Sequence, residues 1–220
     1  MTAIIKQLNI YNLIRWIVRI HRYPRYCYDI YCNTLVKAFL IKKDITLGKQ
    51  SWFCSPPIIK NCAGGQIVIG NNVVLCSRSR NTALGVNHPV IIRTLLPNAK
   101  VYIGNGVKMS GASICAAKSI KIDDNVLIGA NAVIADTDFH AIDSNKRNAK
   151  TSYEDLENAA AKPVEIESDV FVGGNSAILK GVHVGKGAVI GFGSVVTKNI
   201  PAYTIVAGNP AKIIGHWKND

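Results

Sequence analysis

His140 is the residue in this sequence that is best placed to do chemistry. It ends residues 134–140 (IADTDFH), where a regular repeat stops and a long irregular segment begins. A histidine at such a junction is held by a rigid element yet faces a groove, and an imidazole titrates near neutral pH, so it could serve as a general base. Asp136 or Asp138 could orient the ring by accepting a hydrogen bond from its second nitrogen. From spacing alone, a catalytic histidine and an ordinary loop histidine both remain open.

The other four histidines fall in different surroundings. His88 lies in a second irregular segment, within residues 85–90 (GVNHPV), and could reach a cleft. We expect His183 at a solvent-facing corner, and His21 and His216 at the surface, in basic surroundings near the ends of the chain. Of these four, His88 is therefore the candidate for a binding role.

A period of six residues predicts the elements that position these side chains. Across residues 166–201 an aliphatic residue opens each unit, and a small or branched residue follows four places later. Hexapeptide periodicity is typical of a parallel β-helix, in which each unit forms one wall of a coil and the coils stack. We therefore predict an all-β solenoid.

The same six-residue frame runs upstream with two long interruptions, at residues 77–100 and 139–163. We interpret both as inserted loops that cannot be coil walls, and such loops often carry binding residues. The first fifty residues differ, because apolar residues at helical spacing alternate there with arginines and lysines. We predict a helical, amphipathic segment over 1–50 and a β-helix domain over 51–215. The N-terminal segment could cap the open end of the β-helix or lie in the plane of a membrane surface.

Charge and cysteine content narrow the function classes. The net charge of +12 suits a phosphate-bearing cofactor or an anionic membrane. Nucleic acid is the weakest candidate partner, because the sequence has no recognisable nucleic-acid module. Lys6, Arg15 and Arg19 interrupt the apolar start, so we expect no secretory signal and interpret the six cysteines as reduced thiols of a cytoplasmic protein. We expect no metal, because the repeat walls supply no converging histidines.

The repeat region resembles the hexapeptide-repeat acyltransferases, most closely their galactoside, maltose and polysaccharide O-acetyltransferase branch. The resemblance covers roughly residues 65 to 215 and is carried by these stretches: 121–134 (KIDDNVLIGANAVI), 135–140 (ADTDFH), 162–173 (KPVEIESDVFVG), 193–201 (GSVVTKNIP) and 206–214 (VAGNPAKII). It implies a left-handed parallel β-helix, which is an exception to the right-handed crossover rule. It also implies a homotrimer with active sites between subunits, and acetyl-CoA as cosubstrate.

The resemblance further assigns roles to single residues. His140 would be the general base of a direct transfer, in which the acceptor hydroxyl attacks the thioester without an acyl-enzyme. Matching positions for binding acetyl-CoA are Phe171, Gly173, Gly191, Gly193, Lys198 and Lys212. Glycines would let the backbone approach the pantetheine arm, and the lysines would lie near the nucleotide phosphates.

The acceptor side departs from the family pattern. The family's polar residue that faces the sugar corresponds to a position near Ser110 to Ser113, where this sequence has no asparagine. Asn87 and His88 have no clear counterpart in the small galactoside enzymes. These four positions, Asn87, His88, Ser110 and Ser113, are our candidates for substrate binding.

The leading hypothesis is an O-acetyltransferase that modifies a sugar hydroxyl during synthesis of a bacterial surface polysaccharide, such as O-antigen lipopolysaccharide, capsule or exopolysaccharide. Residues 1–25 could then contact the inner face of an anionic membrane. An N-acetyltransferase of an amino sugar or a xenobiotic drug is the alternative. A non-enzymatic trimeric scaffold is a third class.

Overall fold

The computed structural model describes residues 27, 30–31, 33–38, 40, 45–148 and 150–217. Three strands form each of six coils, and two more strands close the C-terminal end. Coils 1 to 3 contain β1 (Thr46–Leu47), β2 (Trp52–Cys54), β3 (Ile58–Lys60), β4 (Gln66–Ile69), β5 (Val74–Cys76), β6 (Ile91–Thr94), β7 (Lys100–Ile103), β8 (Lys108–Ser110) and β9 (Ser113–Ala116). Coils 4 to 6 contain β10 (Ser119–Ile122), β11 (Leu127–Ile128), β12 (Val133–Ala135), β13 (Val164–Ile166), β14 (Phe171–Val172), β15 (Ala177–Ile178), β16 (His183–Val184), β17 (Val189–Ile190) and β18 (Val195–Val196). The closing strands are β19 (Thr204–Ala207) and β20 (Lys212–His216).

Each coil gives one strand to each of three sheets, which form the walls of a three-sided prism. Sheet A has the order β1-β4-β7-β10-β13-β16, sheet B runs β2-β5-β8-β11-β14-β17-β19-β20, and sheet C runs β3-β6-β9-β12-β15-β18. Neighbouring strands are parallel, except that β19 pairs antiparallel with β20. We call the three edges of the prism corner AB, corner BC and corner CA. The predicted parallel β-helix is confirmed.

Alternation along each strand explains why the hexapeptide frame gives this core. In β10, Ile120 and Ile122 are buried inside the prism while Ser119 and Lys121 point outward. Stacking places the inward residues of successive coils in register, so each covers the one below. Full burial of one such aliphatic side chain contributes about 1.5–3 kcal/mol.

Corner residues explain the asparagines and glycines of the repeat. Asn131 and Asn175 turn corner BC with φ of 61° and 54°, in the left-handed region that asparagine tolerates. Gly129 serves a different purpose, because a Cβ there would lie 2.4 Å from the backbone nitrogen of Gly174 in the next coil. The coils therefore stack more closely at this position than any side chain allows.

The described residues near the N-terminus cover the first coil. Residues 33–38 are helical, Val36 and Leu40 are buried with the prism core, and the Asn33 side chain accepts a hydrogen bond from the Phe53 N–H at 3.1 Å. The helical stripe that we predicted before residue 21 lies outside the described residues, as do the membrane-contact residues before residue 27. No helix in the part of the chain described here is long and apolar enough to cross a membrane.

Two predicted boundaries need correction. The β-helix begins before residue 51, because β1 already pairs with β4 through Thr46 and Val68. The first interruption was predicted to contain no wall, yet β6 lies in sheet C between β3 and β9. The inserted loop there is residues 77–90, which include a 3-10 turn at Ser79–Asn81. The second insertion, residues 136–163, is a loop with two short helices, Ser144–Arg147 and Ser152–Asn158. We call it the long loop.

Candidate active site

The long loop leaves the prism at corner CA of coil 4 and is fastened at its base. Asp136 is fully buried, and its carboxylate accepts the backbone N–H groups of Ala117 and Lys118 at 2.6 and 2.7 Å. Burial raises the pKa of the Asp136 carboxyl, and these backbone donors oppose that rise. Thr137 forms an antiparallel bridge with Ala161, so both ends of the loop are held together. The segment that carries His140 therefore has a rigid foundation.

Phe139 redirects the chain immediately before His140. Its φ is +64°, which is uncommon for a bulky residue, and its N–H donates to the Thr137 hydroxyl at 3.2 Å. Backbone strain of this kind is concentrated at functional sites. Here it turns the next side chain away from the wall of the prism.

His140 forms a dyad with Asp155. The distance from His140 Nδ1 to Asp155 Oδ2 is 2.5 Å, and the second carboxylate oxygen of Asp155 accepts the Ala141 N–H at 2.9 Å. The His140 side chain is 67% exposed, whereas that of Asp155 is 7% exposed. Among the described residues, Nε2 of His140 has no hydrogen-bond partner. The dyad therefore presents one free ring nitrogen to solvent.

The surroundings of Asp155 keep it ionised. The Ala141 N–H and then the His140 ring hold the pKa of its carboxyl below the ordinary value. A carboxylate at Nδ1 favours the tautomer with the proton on Nδ1, which leaves the Nε2 lone pair free to accept a proton. Asp155 lies in the first turn of the Ser152–Asn158 helix, and the Thr151 side chain caps that helix by accepting the Glu154 N–H.

Asp136 and Asp138, our candidates for orienting the ring, do not contact it. The carboxylate of Asp138 binds the Lys180 ammonium at 2.5 Å, across to the next coil, and that of Asp136 is taken by backbone donors. Asp155 replaces both in that role. The sequence offered one indirect signal, because Thr151 and Glu154 have the spacing of a helix capping box and so predict a helix that begins inside the loop.

The residues predicted to bind the cofactor follow two walls of the prism. Phe171 points outward from sheet B and is 42% exposed. Lys198 follows β18 at corner CA, and Lys212 begins β20 in sheet B; both are exposed. Gly193 has a φ of +68° and open space at its Cβ position.

Gly173 and Gly191 have a structural cause that the sequence analysis did not identify. A Cβ on Gly173 would lie 2.6 Å from the Phe192 nitrogen, and one on Gly191 would lie 2.9 Å from the Ala207 Cβ. Contact with the next coil, rather than the approach of a ligand, therefore accounts for both glycines.

The four residues predicted to bind substrate gather at corner BC. The N–H of Asn87 donates to the Asn131 side chain at 2.8 Å, and the Asn131 N–H donates to the carbonyl of Ser110 at 3.1 Å. His88 Nδ1 lies 2.8 Å from the carbonyl oxygen of Pro89, and Ser113 begins β9. In one protomer sheet C separates this group from His140 at corner CA.

Comparisons with known proteins agree with the repeat. A family model described as the hexapeptide repeat of succinyl-transferase matches residues 119–135 and 163–198. The 2,3,4,5-tetrahydropyridine-2,6-dicarboxylate N-acetyltransferase of Staphylococcus aureus (strain bovine RF122 / ET3-1) is 43% identical over 90 residues, which are 41% of this chain. The chain spans only 30% of the length of that relative.

Two solved structures share the fold. The first is a hexapeptide-repeat acetyltransferase from Vibrio cholerae O1 biovar eltor, complexed with acetyl coenzyme A. It superposes with a TM-score of 0.51 at 23% identity, and the match covers 92% of this chain and 90% of the Vibrio chain. The second structure is a variant of AntD, an N-acyltransferase from Bacillus cereus, in complex with dTDP and coenzyme A. It superposes with a TM-score of 0.57 at 18% identity, and the match covers 83% of this chain and 89% of the AntD chain. Together with the matched repeats, these findings show that the fold is a left-handed parallel β-helix built from hexapeptide repeats.

Proposed function

We propose that this protein transfers the acetyl group of acetyl-CoA to a sugar hydroxyl, in the synthesis of a bacterial surface polysaccharide. The observation that carries the proposal is the dyad of His140 and Asp155, with its free Nε2 at the exposed base of the long loop. This arrangement suits a general base that removes a proton from an acceptor hydroxyl.

The residues present fit acetyl-CoA, which when bound would supply the acetyl group as an activated thioester. Phe171 and Leu127 are register neighbours that expose apolar surface on sheet B, where a pantetheine arm could pack. Lys198 and Lys212 have no carboxylate partner within the described residues, so their charges are available to phosphates. We therefore keep these residues, with Gly193, as the proposed cofactor wall, whereas packing against the next coil accounts for Gly173 and Gly191.

In the proposed mechanism Nε2 of His140 accepts the proton of the acceptor hydroxyl while the hydroxyl oxygen attacks the thioester carbonyl. Asp155 holds the ring through Nδ1–H and stabilises the imidazolium that forms. His140 then returns the proton to the departing thiolate. Positioning of the two reactants supplies the rest of the rate enhancement.

We also propose a homotrimer. Sheet C exposes Ile58 and Val133, and sheet B exposes Leu127 and Phe171. The outward column of sheet A exposes Tyr102 but continues through the polar residues Lys121, Glu165 and His183. A contact between two different walls is heterologous and can close into a ring. It would let the corner BC residues of one copy meet His140 of another. Light scattering should give three times the chain mass of 23.8 kDa; a monomer at working concentration would contradict the proposal.

The function is tested by measuring thiol release from acetyl-CoA with a panel of neutral sugars, amino sugars, uronic acids and nucleotide sugars. Release that depends on a sugar hydroxyl, with the ester identified by mass spectrometry, supports O-acetylation. An amide product would support the second candidate, N-acetylation, which the names of the Staphylococcus and Bacillus relatives favour. No acceptor-dependent release across the panel would contradict both.

For residues 1–25 we propose contact with an anionic membrane. Residues 1–50 contain nine Lys and Arg but two Asp, and the described residues Ile30, Tyr31 and Leu35 next to this segment are large, apolar and exposed. Basic residues beside apolar surface attract anionic lipid. Deleting residues 1–20 should abolish sedimentation with phosphatidylserine vesicles, with phosphatidylcholine vesicles as the control. Unchanged sedimentation would contradict the contact.

A further inference from the structure

Two cations lie side by side on the outer face of sheet C. Lys60 of β3 and Arg93 of β6 are register partners, and each points outward because the inward neighbours Ile59 and Ile92 are buried. Like charges directly opposite each other in a sheet are destabilising. An anion bound between the two cations would relieve this repulsion.

No carboxylate in the described part of the chain is in ion-pair contact with either cation. Nε of Arg93 is buried and has no hydrogen-bond partner there, which is costly for a charged donor. The next residue in this column is Cys115, and burial raises the pKa of its thiol, so the thiol stays neutral and cannot balance Arg93.

This column runs towards the dyad. Cys115 pairs with Ala135, which lies five residues before His140 at the foot of the long loop. Neighbouring coils are about 4.8 Å apart, so Arg93 lies two coils, roughly 10 Å, from Ala135. The cations therefore lie on the wall of the prism whose edge carries the long loop and its dyad.

We propose that Arg93 and Lys60 form a subsite for an anionic group, a phosphate or a carboxylate, of the acetyl acceptor. A planar guanidinium with a buried unpaired N–H and an ammonium one coil away can hold such a group by charge-assisted hydrogen bonds. The assignment to the acceptor rests on the proposed transferase function. Anion binding itself does not, so it is measured without turnover.

The test uses inorganic phosphate, malonate and coenzyme A as probes, with isothermal titration calorimetry on Arg93→Met, Lys60→Met and the wild type. Arg93→Met should weaken the binding of phosphate or of malonate by about tenfold or more, the loss expected for a charge-assisted hydrogen bond. The probe that responds identifies the group. Lys100→Met, the same charge change on sheet A, should leave all three affinities unchanged.

The melting temperature, measured without anions, is the control for folding. It should not fall in Arg93→Met, because the substitution removes one of two neighbouring like charges. Lys60 is exposed, so Lys60→Met keeps the test valid if Arg93→Met does not fold. Three results would overturn the proposal: unchanged phosphate and malonate binding, a matched loss of coenzyme A affinity, or dissociation of the assembly by Arg93→Met, which would make Arg93 a subunit contact.

Discussion

Replacing His140 with alanine should lower kcat/KM for acetyl transfer by about 10²–10⁴-fold, the range in which positioned general bases contribute. The side chain is 67% exposed, so its removal should cost little packing energy. The loss should appear in kcat with little change in the KM for acetyl-CoA, because the proposed base acts on the acceptor proton. Steady-state thiol release with the best acceptor from the panel measures both constants.

The chain offers a matched control in a second histidine–carboxylate pair. His183 Nε2 lies 3.0 Å from Glu167 Oε1, and both side chains are about equally exposed, on sheet A and its corner. His183→Ala removes an equivalent contact away from corner CA and should leave kcat/KM within about twofold of the wild type. If His140→Ala kept wild-type turnover, or if both variants lost activity together, His140 would not be the base.

The sequence predicts the fold most accurately where the six-residue frame is unbroken. Coils 5 and 6 follow directly from it, because every sixth residue there is aliphatic and buried, as at Val172, Ile178 and Val184. The frame fails at β6, since the inserted residues 77–90 separate that strand from its coil. A second signal was nevertheless present, because Val90 and Ile92 are buried and alternate with outward residues at the period of two that marks a strand.

The site shows a different limit of sequence reasoning. His140 can be found because a rigid wall ends beside it, which is a local property of the chain. Asp155 lies fifteen residues later, and its contact with the ring depends on how the long loop folds back, which no short spacing encodes. Asp138 is adjacent in sequence, but Lys180 of the next coil takes its carboxylate. Proximity along the chain therefore indicated the wrong partner.

Replacing Asp155 with asparagine should lower kcat by about 10²-fold or more while leaving the assembly folded. Asparagine keeps an oxygen for the Ala141 N–H but removes the negative charge that favours the Nδ1–H tautomer and stabilises the imidazolium. Glu157→Gln, at an exposed carboxylate of the same helix, is the matched control and should be near wild type. Equal turnover in Asp155→Asn and wild type would remove Asp155 from the mechanism.

The pH dependence of the folding stability provides a second test of the Asp155 carboxylate. The pKa of Asp155 is lower in the folded protein than its ordinary value, so its ionised form stabilises the fold above that ordinary value, about pH 4. The contribution is lost as the pH falls through the lowered pKa, where the carboxyl becomes protonated in the folded state as well. Urea unfolding should therefore show wild type more stable than Asp155→Asn at pH 7, and the difference should shrink as the pH falls below about 4. A difference that grew towards acid pH would mean that Asp155 is held neutral, and a neutral acid could not hold His140 in the tautomer that frees Nε2.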